Sequence, residues 1–148
     1  MTTGKLLALS LFGSASLIAT AAIAETAADG GRKFSVTMTG AAERPGPGDP
    51  DGSGTAEFTI NPGQRRLCYE LEVTGIAAAT AAHIHIAPAT DPGPVVVGLA
   101  APSDGDSSGC VDITRELALA IIRDPSAYYV NVHNADFPPG AIRGQLSR

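Results

Sequence analysis

The chain has 148 residues, ten of them basic and fifteen acidic, giving a formal charge of −5, and only 5% are aromatic. An acidic chain without a cluster of Lys and Arg has no electrostatic footprint for nucleic acid or for an anionic membrane surface. Cations, metal ions among them, are partners that its charge favours.

The first 24 residues read as an export leader. Lys5 supplies a short positive start, Leu6 to Ile23 is apolar or small, and Ala22-Ile23-Ala24 fits a small-x-small cleavage pattern before Glu25. Ser10, Gly13, Ser14, Ser16 and Thr20 interrupt the apolar run, which argues against a permanent transmembrane helix. No Cys stands at the cleavage point to carry a lipid. The expected location is therefore periplasmic or secreted, with no stable membrane anchor. Past the leader remain 124 residues, enough for one domain with one core. Residues 25–32, with Gly30-Gly31, read as a flexible lead-in, and 33–148 as the domain.

The domain opens with a strand that sets Phe34, Val36 and Met38 on one face and Ser35, Thr37 and Thr39 on the other. Residues 40–54 hold five Gly and three Pro and read as a long loop. Its Asp49-Pro-Asp51-Gly-Ser53-Gly stretch faintly resembles a calcium loop, but Ile60 stands where the bidentate acid belongs, so it reads as a turn. A second strand carries Ala56, Phe58 and Ile60 inward and ends at Asn61-Pro62-Gly63. A third carries Leu67, Tyr69, Leu71 and Val73 inward, with Cys68, Glu70 and Glu72 opposite. Gly75 to Ala82 reads as a connector or short helical turn. Next come a strand around His83 and His85, a Pro-rich loop, a buried strand Val95-Val96-Val97, a turn cluster Asp104 to Gly109, and Cys110 to Ile113. Thr114 suits the N-cap of a short helix, Arg115 to Arg123, with Leu117 and Ile121 on one face; Asp124-Pro125 ends it.

The last part alternates again. Tyr128, Val130 and Val132 share one face and Tyr129, Asn131 and His133 the other. A Pro-Pro-Gly corner follows, then a closing strand from Ala141 to Leu146. Seven or so short strands with Gly/Pro turns indicate an all-β, antiparallel Greek-key β-sandwich with one short helical insertion.

Cys68 and Cys110 are the two cysteines. In an exported chain a disulfide is the expected state. Free thiols and a Cys-plus-His metal site are the alternatives. Each cysteine lies opposite the apolar side of its strand, so a bridge between them would lie outside the core.

His83, His85 and His133 are the three histidines. Residues i and i+2 of a strand lie on one face, about 6.6 Å apart along it, so His83 and His85 can converge on one metal. Ile84 and Ile86, on the opposite face, favour the core and leave the histidines toward solvent or a shallow cleft. His133 occupies the non-core face of its own strand. If the two strands are neighbours, three imidazoles surround one point, which suits copper or zinc. The competing reading is of histidines that hydrogen-bond loop backbone. Asn131 reads as a supporting position, and Arg143 as an ion-pair partner for Glu43. Hydrolytic chemistry has little support: no Gly-x-Ser-x-Gly occurs and no serine stands beside His133 and Asp136. Glu70 and Glu72 read as solvated outer-face acids. The expectation is a binding module rather than an enzyme, with a metal ion as partner and another exported protein as a further candidate. A metal-free adhesive scaffold is a further alternative.

The chain resembles the CHRD family, named after repeats in chordin and present in bacterial secreted proteins. The likeness rests on Gly40-Ala41-Ala42-Glu43-Arg44-Pro45, Ala82-His83-Ile84-His85, Gly93-Pro94-Val95-Val96-Val97, Gly109-Cys110, Tyr129-Val130-Asn131-Val132-His133, Phe137-Pro138, Gly140 and Ile142-Arg143-Gly144-Gln145-Leu146. It departs at Ile86-Ala87-Pro88, where glycines are usual, and at Ala141, where an acid is common. A weaker similarity is to copper–zinc superoxide dismutase, which has a Greek-key sandwich, a His-x-His strand, a later Val-His strand and an Arg near the metal, a part open here to Arg143. Three histidines are too few for that enzyme's bridging ligand and zinc site, so the similarity implies copper-dependent redox chemistry only as an alternative.

Overall fold

A computed structural model describes Met1 and residues 30–148. The expected leader, its cleavage point and residues 25–29 of the lead-in lie outside the described residues. Strand β1 (Arg32–Thr39) begins at the last lead-in residue. It is followed by β2 (Ser53–Asn61), β3 (Arg66–Thr74), β4 (Ala79–Ile86), β5 (Val95–Leu99), β6 (Asp106–Asp112), helix α1 (Arg115–Arg123), β7 (Tyr128–Asn134) and β8 (Ile142–Gln145). Single-turn helices at Gly40–Ala42 and Pro125–Ala127 complete the list.

The first three strands form because strict two-residue alternation can bury one face only as a strand. Phe34, Val36, Met38, Ala56, Phe58, Ile60, Leu67, Tyr69, Leu71 and Val73 all lie in the core. Helix α1 adds Ala118 and Ile121 to it. Its N-terminus is capped by Thr114 Oγ1, which accepts from Leu117 N at 3.1 Å, and the carbonyl-side end falls before Pro125.

All eight strands form one antiparallel sheet in the order β5-β4-β7-β8-β1-β2-β3-β6. Two four-stranded groups meet at one residue pair, Thr39 with Arg143. The ends of the sheet approach one another. Ala100, just after β5, donates its N–H to Tyr69 Oη on β3 at 2.9 Å, and Ser107 Oγ on β6 donates to Ala100 O at 2.8 Å. The fold is thus a nearly barrel-shaped sheet rather than the two separate sheets of the expected sandwich. Backbone pairing carries round the corner at Thr39, so the two groups never part.

Three local expectations are corrected. Ala79 to Ala82 belongs to β4, with an irregularity between Ala79 and Ala81, rather than to a connector. Asp106 to Gly109 pairs with β3; its polar residues fit because β6 is an edge strand, where charged and polar side chains are the rule. Val95 is half-exposed because β5 is the opposite edge, and Ile86 is exposed where β4 leaves the sheet.

Cys68 and Cys110 stand directly opposite each other on β3 and β6 and are joined in a disulfide spanning 42 residues. Cys110 is exposed, so the bond fastens the edge strand from outside the core. Closing a loop of this length stabilises by about 4 kcal/mol in the chain-entropy model. We expect the Cys68→Ala/Cys110→Ala variant to lose stability on that order in urea unfolding, and the unreduced protein to take up no alkylating reagent. Unchanged unfolding midpoints in the two proteins would contradict this.

Candidate metal centre

Strand β7 is buried on both sides. Tyr128, Val130 and Val132 face the core, while Tyr129 and Asn131 are buried on the outer face and His133 is half-buried there. The outer face is only partly open to solvent: loop 87–94 is fastened over His85 and Tyr129, while His83 and His133 are half-buried. Arg143, 1% exposed, donates from its guanidinium to Pro88 O at 2.9 Å and Asp91 O at 3.0 Å. Gln145 Nε2 donates to Ala87 O at 2.9 Å. Gly93 is held at both ends: its N–H donates to Tyr129 Oη at 3.2 Å, and its carbonyl accepts from His85 Nδ1 at 2.8 Å. Only glycine fits there, because a Cβ at Gly93 would overlap Ile86 O.

Within this covered layer the three histidines meet. Strands β4 and β7 are neighbours, with Ala81 opposite His133, His83 opposite Asn131 and His85 opposite Tyr129. The small Ala81 leaves His133 room to lean toward His83. His83 Nδ1 and His133 Nε2 lie 3.1 Å apart, and one nitrogen from each of the three rings falls within 4.8 Å of the others. Among the described residues this is the one such group of metal-ligating side chains. A surface depression of about 630 Å³ at Arg65, Asp112 and the start of α1 lies apart from it.

Backbone carbonyls set the ring tautomers. A carbonyl only accepts, so His85 carries its proton on Nδ1 to reach Gly93 O, and His133 carries its own on Nδ1 to reach Pro138 O at 2.9 Å. Each therefore turns a bare Nε2 lone pair inward. This arrangement, with a ligand ring's second nitrogen donating to a carbonyl, is the usual support of a metal-binding imidazole. Without metal, His83 Nδ1–H donates to His133 Nε2. His85 Nε2 is buried and has no hydrogen-bond partner. Nitrogens bound to one ion at 2.0–2.1 Å and tetrahedral angles stand about 3.4 Å apart. The 3.1 Å pair already fits, and a separation of 4.8 Å needs closing by about 1.4 Å.

Burial lowers the pKa of both His83 and His133, and the neighbouring histidines add to the effect. The Pro138 carbonyl opposes it at His133. Both rings thus stay neutral, and able to bind metal, to a lower pH than an ordinary imidazole does.

The supporting residues fall on the same layer. His85 stacks on Tyr129 at 4.7 Å and 4°, and the Arg143 guanidinium lies 3.4 Å over the same ring. Tyr129 was legible only as a face-mate of Asn131 and His133. Gly93 and Pro138 act through their backbone carbonyls and leave no side-chain signal. The expected ion pair of Arg143 with Glu43 is loosened: the guanidinium spends its donors on loop carbonyls and Gln145 Oε1, and it affects Glu43 only through its charge. Glu43 is 3% exposed with an unpartnered Oε1, packed against Gly140, where a Cβ would overlap the carboxyl. Burial pushes the Glu43 carboxyl up to about 7 from 4.5. The native state therefore binds a proton that the unfolded state does not, between roughly pH 4.5 and 7. Relative to Glu43→Gln, wild-type stability should rise as pH falls through that window, by up to about 1.4 kcal/mol per unit. Parallel urea titrations of the metal-free proteins check this, and a gap that does not change with pH would refute it.

The family model described as the CHRD domain matches residues 34–146, from β1 to the residue after β8. Comparison with curated proteins and with solved structures returns no match. The matched span contains both histidine strands, the Gly93 loop, the Pro-Pro-Gly corner and the closing strand with Arg143. The chain belongs to the CHRD-domain family.

Proposed function

We propose that this protein is an exported binding module that holds one copper or zinc ion through His83, His85 and His133. One observation carries the reading: three imidazoles present nitrogens within 4.8 Å of one another, and two of them have their other nitrogen tied to a carbonyl so that the lone pair faces inward. A donor set of neutral imidazoles suits both metals. Binding is favoured over dismutase-like turnover because the Arg143 guanidinium is buried and committed to Pro88 O and Asp91 O, so it offers no free cation beside the metal. Export is supported by the disulfide. It also agrees with the leader-like pattern before Glu25, and no helix of the described residues is long and apolar enough to cross a membrane.

Calorimetric titration of metal-stripped protein should give one equivalent of zinc or copper. His83→Ala, His85→Ala and His133→Ala should each lose at least tenfold in affinity, and Glu70→Gln and Glu72→Gln should bind as wild type does. Absence of uptake at micromolar metal, or three alanine variants that bind normally, would end the proposal.

The lowered pKa values of His83 and His133 set the pH dependence. Protons compete with metal only where the free rings protonate. Affinity should therefore weaken as pH falls, with the midpoint of loss below 6.5, the ordinary imidazole value. A midpoint of loss above 6.5 would show that the rings are not desolvated as described.

A further inference from the structure

Three buried side-chain atoms among the described residues have no hydrogen-bond partner: His85 Nε2, Asn131 Oδ1 and Glu43 Oε1. All three lie in the outer layer over β4, β7 and β8. The His85 nitrogen is a bare lone pair, because Nδ1 carries the proton, and a carboxamide oxygen is likewise an acceptor. A buried acceptor without a donor or cation is unfavourable, and one cation would satisfy two that lie in adjacent positions of one strand pair.

Register places Asn131 at the histidine centre. It pairs directly with His83 across β4–β7, an arrangement that brings Cβ atoms to about 4.5–5.5 Å. It lies two residues before His133 on the same face. On its other side it pairs with Arg143 of β8, beyond which β1 runs into the Glu43 turn. Its Oδ1 is buried without a hydrogen-bond partner on the face that the histidines share.

We propose that Asn131 Oδ1 is the fourth protein ligand of the three-histidine centre, which makes it a closed site of three nitrogens and one oxygen. This inference rests on the three-histidine reading. Four protein ligands at a tetrahedral ion distinguish a storage or structural site from a catalytic one, which keeps a position open for water or substrate. The site would thus hold its metal without presenting it to small anionic ligands.

Cobalt(II) is the probe, since its visible spectrum reports coordination. Wild type loaded with one equivalent should give a four-coordinate spectrum that excess azide leaves unchanged. Asn131→Ala should still take up cobalt, at least tenfold more weakly, and its spectrum should shift with azide as the position opens. Asn131→Asp, of nearly the same shape and with a ligand oxygen retained, should stay insensitive to azide. An azide-induced shift in wild type overturns the proposal whatever the variants do, as does an Asn131→Ala protein equal to wild type in affinity and azide response. In both cases the three-histidine reading survives. Wild type that takes up no cobalt, zinc or copper overturns both.

Discussion

Most of the functional layer depends on how one loop is fastened to the outside of the sheet. Residues 87–94 are held by the two carbonyls that accept from Arg143, by the Ala87 carbonyl on Gln145, and by Gly93 caught between Tyr129 and His85. Arg143 and Gln145 project from β8, Tyr129 from β7 and His85 from β4. Three neighbouring strands thus each contribute a donor or acceptor to the same stretch of backbone. The loop in turn supplies the carbonyl that fixes the His85 tautomer. A flexible loop would leave His85 free to rotate and its lone pair without a defined direction.

This fastening has an energetic cost that the barrel core offsets. Arg143, Asn131, Glu43 and His85 are all buried, and buried charge without a close partner destabilises a fold. The same burial raises the Glu43 pKa. The opposite face of the same strands is apolar: Ala82, Ile84, Val130, Val132 and Ile142 lie in the core. Strands β4, β7 and β8 therefore separate two environments, a dry interior that stabilises and a polar layer whose arrangement is strained by unmet acceptors. Local rules are broken where a site would be, which is where natural sequences depart from consistency.

The sequence made the interior legible because alternation is a direct consequence of strand geometry. Phe34-Val36-Met38 and Leu67-Tyr69-Leu71-Val73 are readable as core without any structure. His83 and His85 are readable as face-mates for the same reason, and the family resemblance through the histidine strands agrees with the matched family. The covering of the outer face was not legible. It rests on carbonyls of Pro88, Asp91, Gly93 and Pro138, and a carbonyl has no residue type. Ile86 misled the reading because alternation does not say where a strand leaves its sheet. The single continuous sheet hangs on the Thr39–Arg143 pair, which no hydrophobic pattern encodes.

The central claim is that backbone carbonyls hold His85 and His133 as Nδ1-protonated rings with inward Nε2 lone pairs. Long-range proton–nitrogen NMR of the imidazoles, on metal-free protein well above the imidazole pKa, tests it most directly. The account predicts protonated Nδ1 and bare Nε2 at His85 and His133, and protonated Nδ1 at His83, where it donates to His133. On adding zinc, His83 should switch to protonated Nε2 as its Nδ1 takes the metal, while the other two keep their tautomers. A protonated Nε2 at His85 or His133 in the metal-free protein would contradict the account, because neither ring would then offer the lone pair on which the site depends.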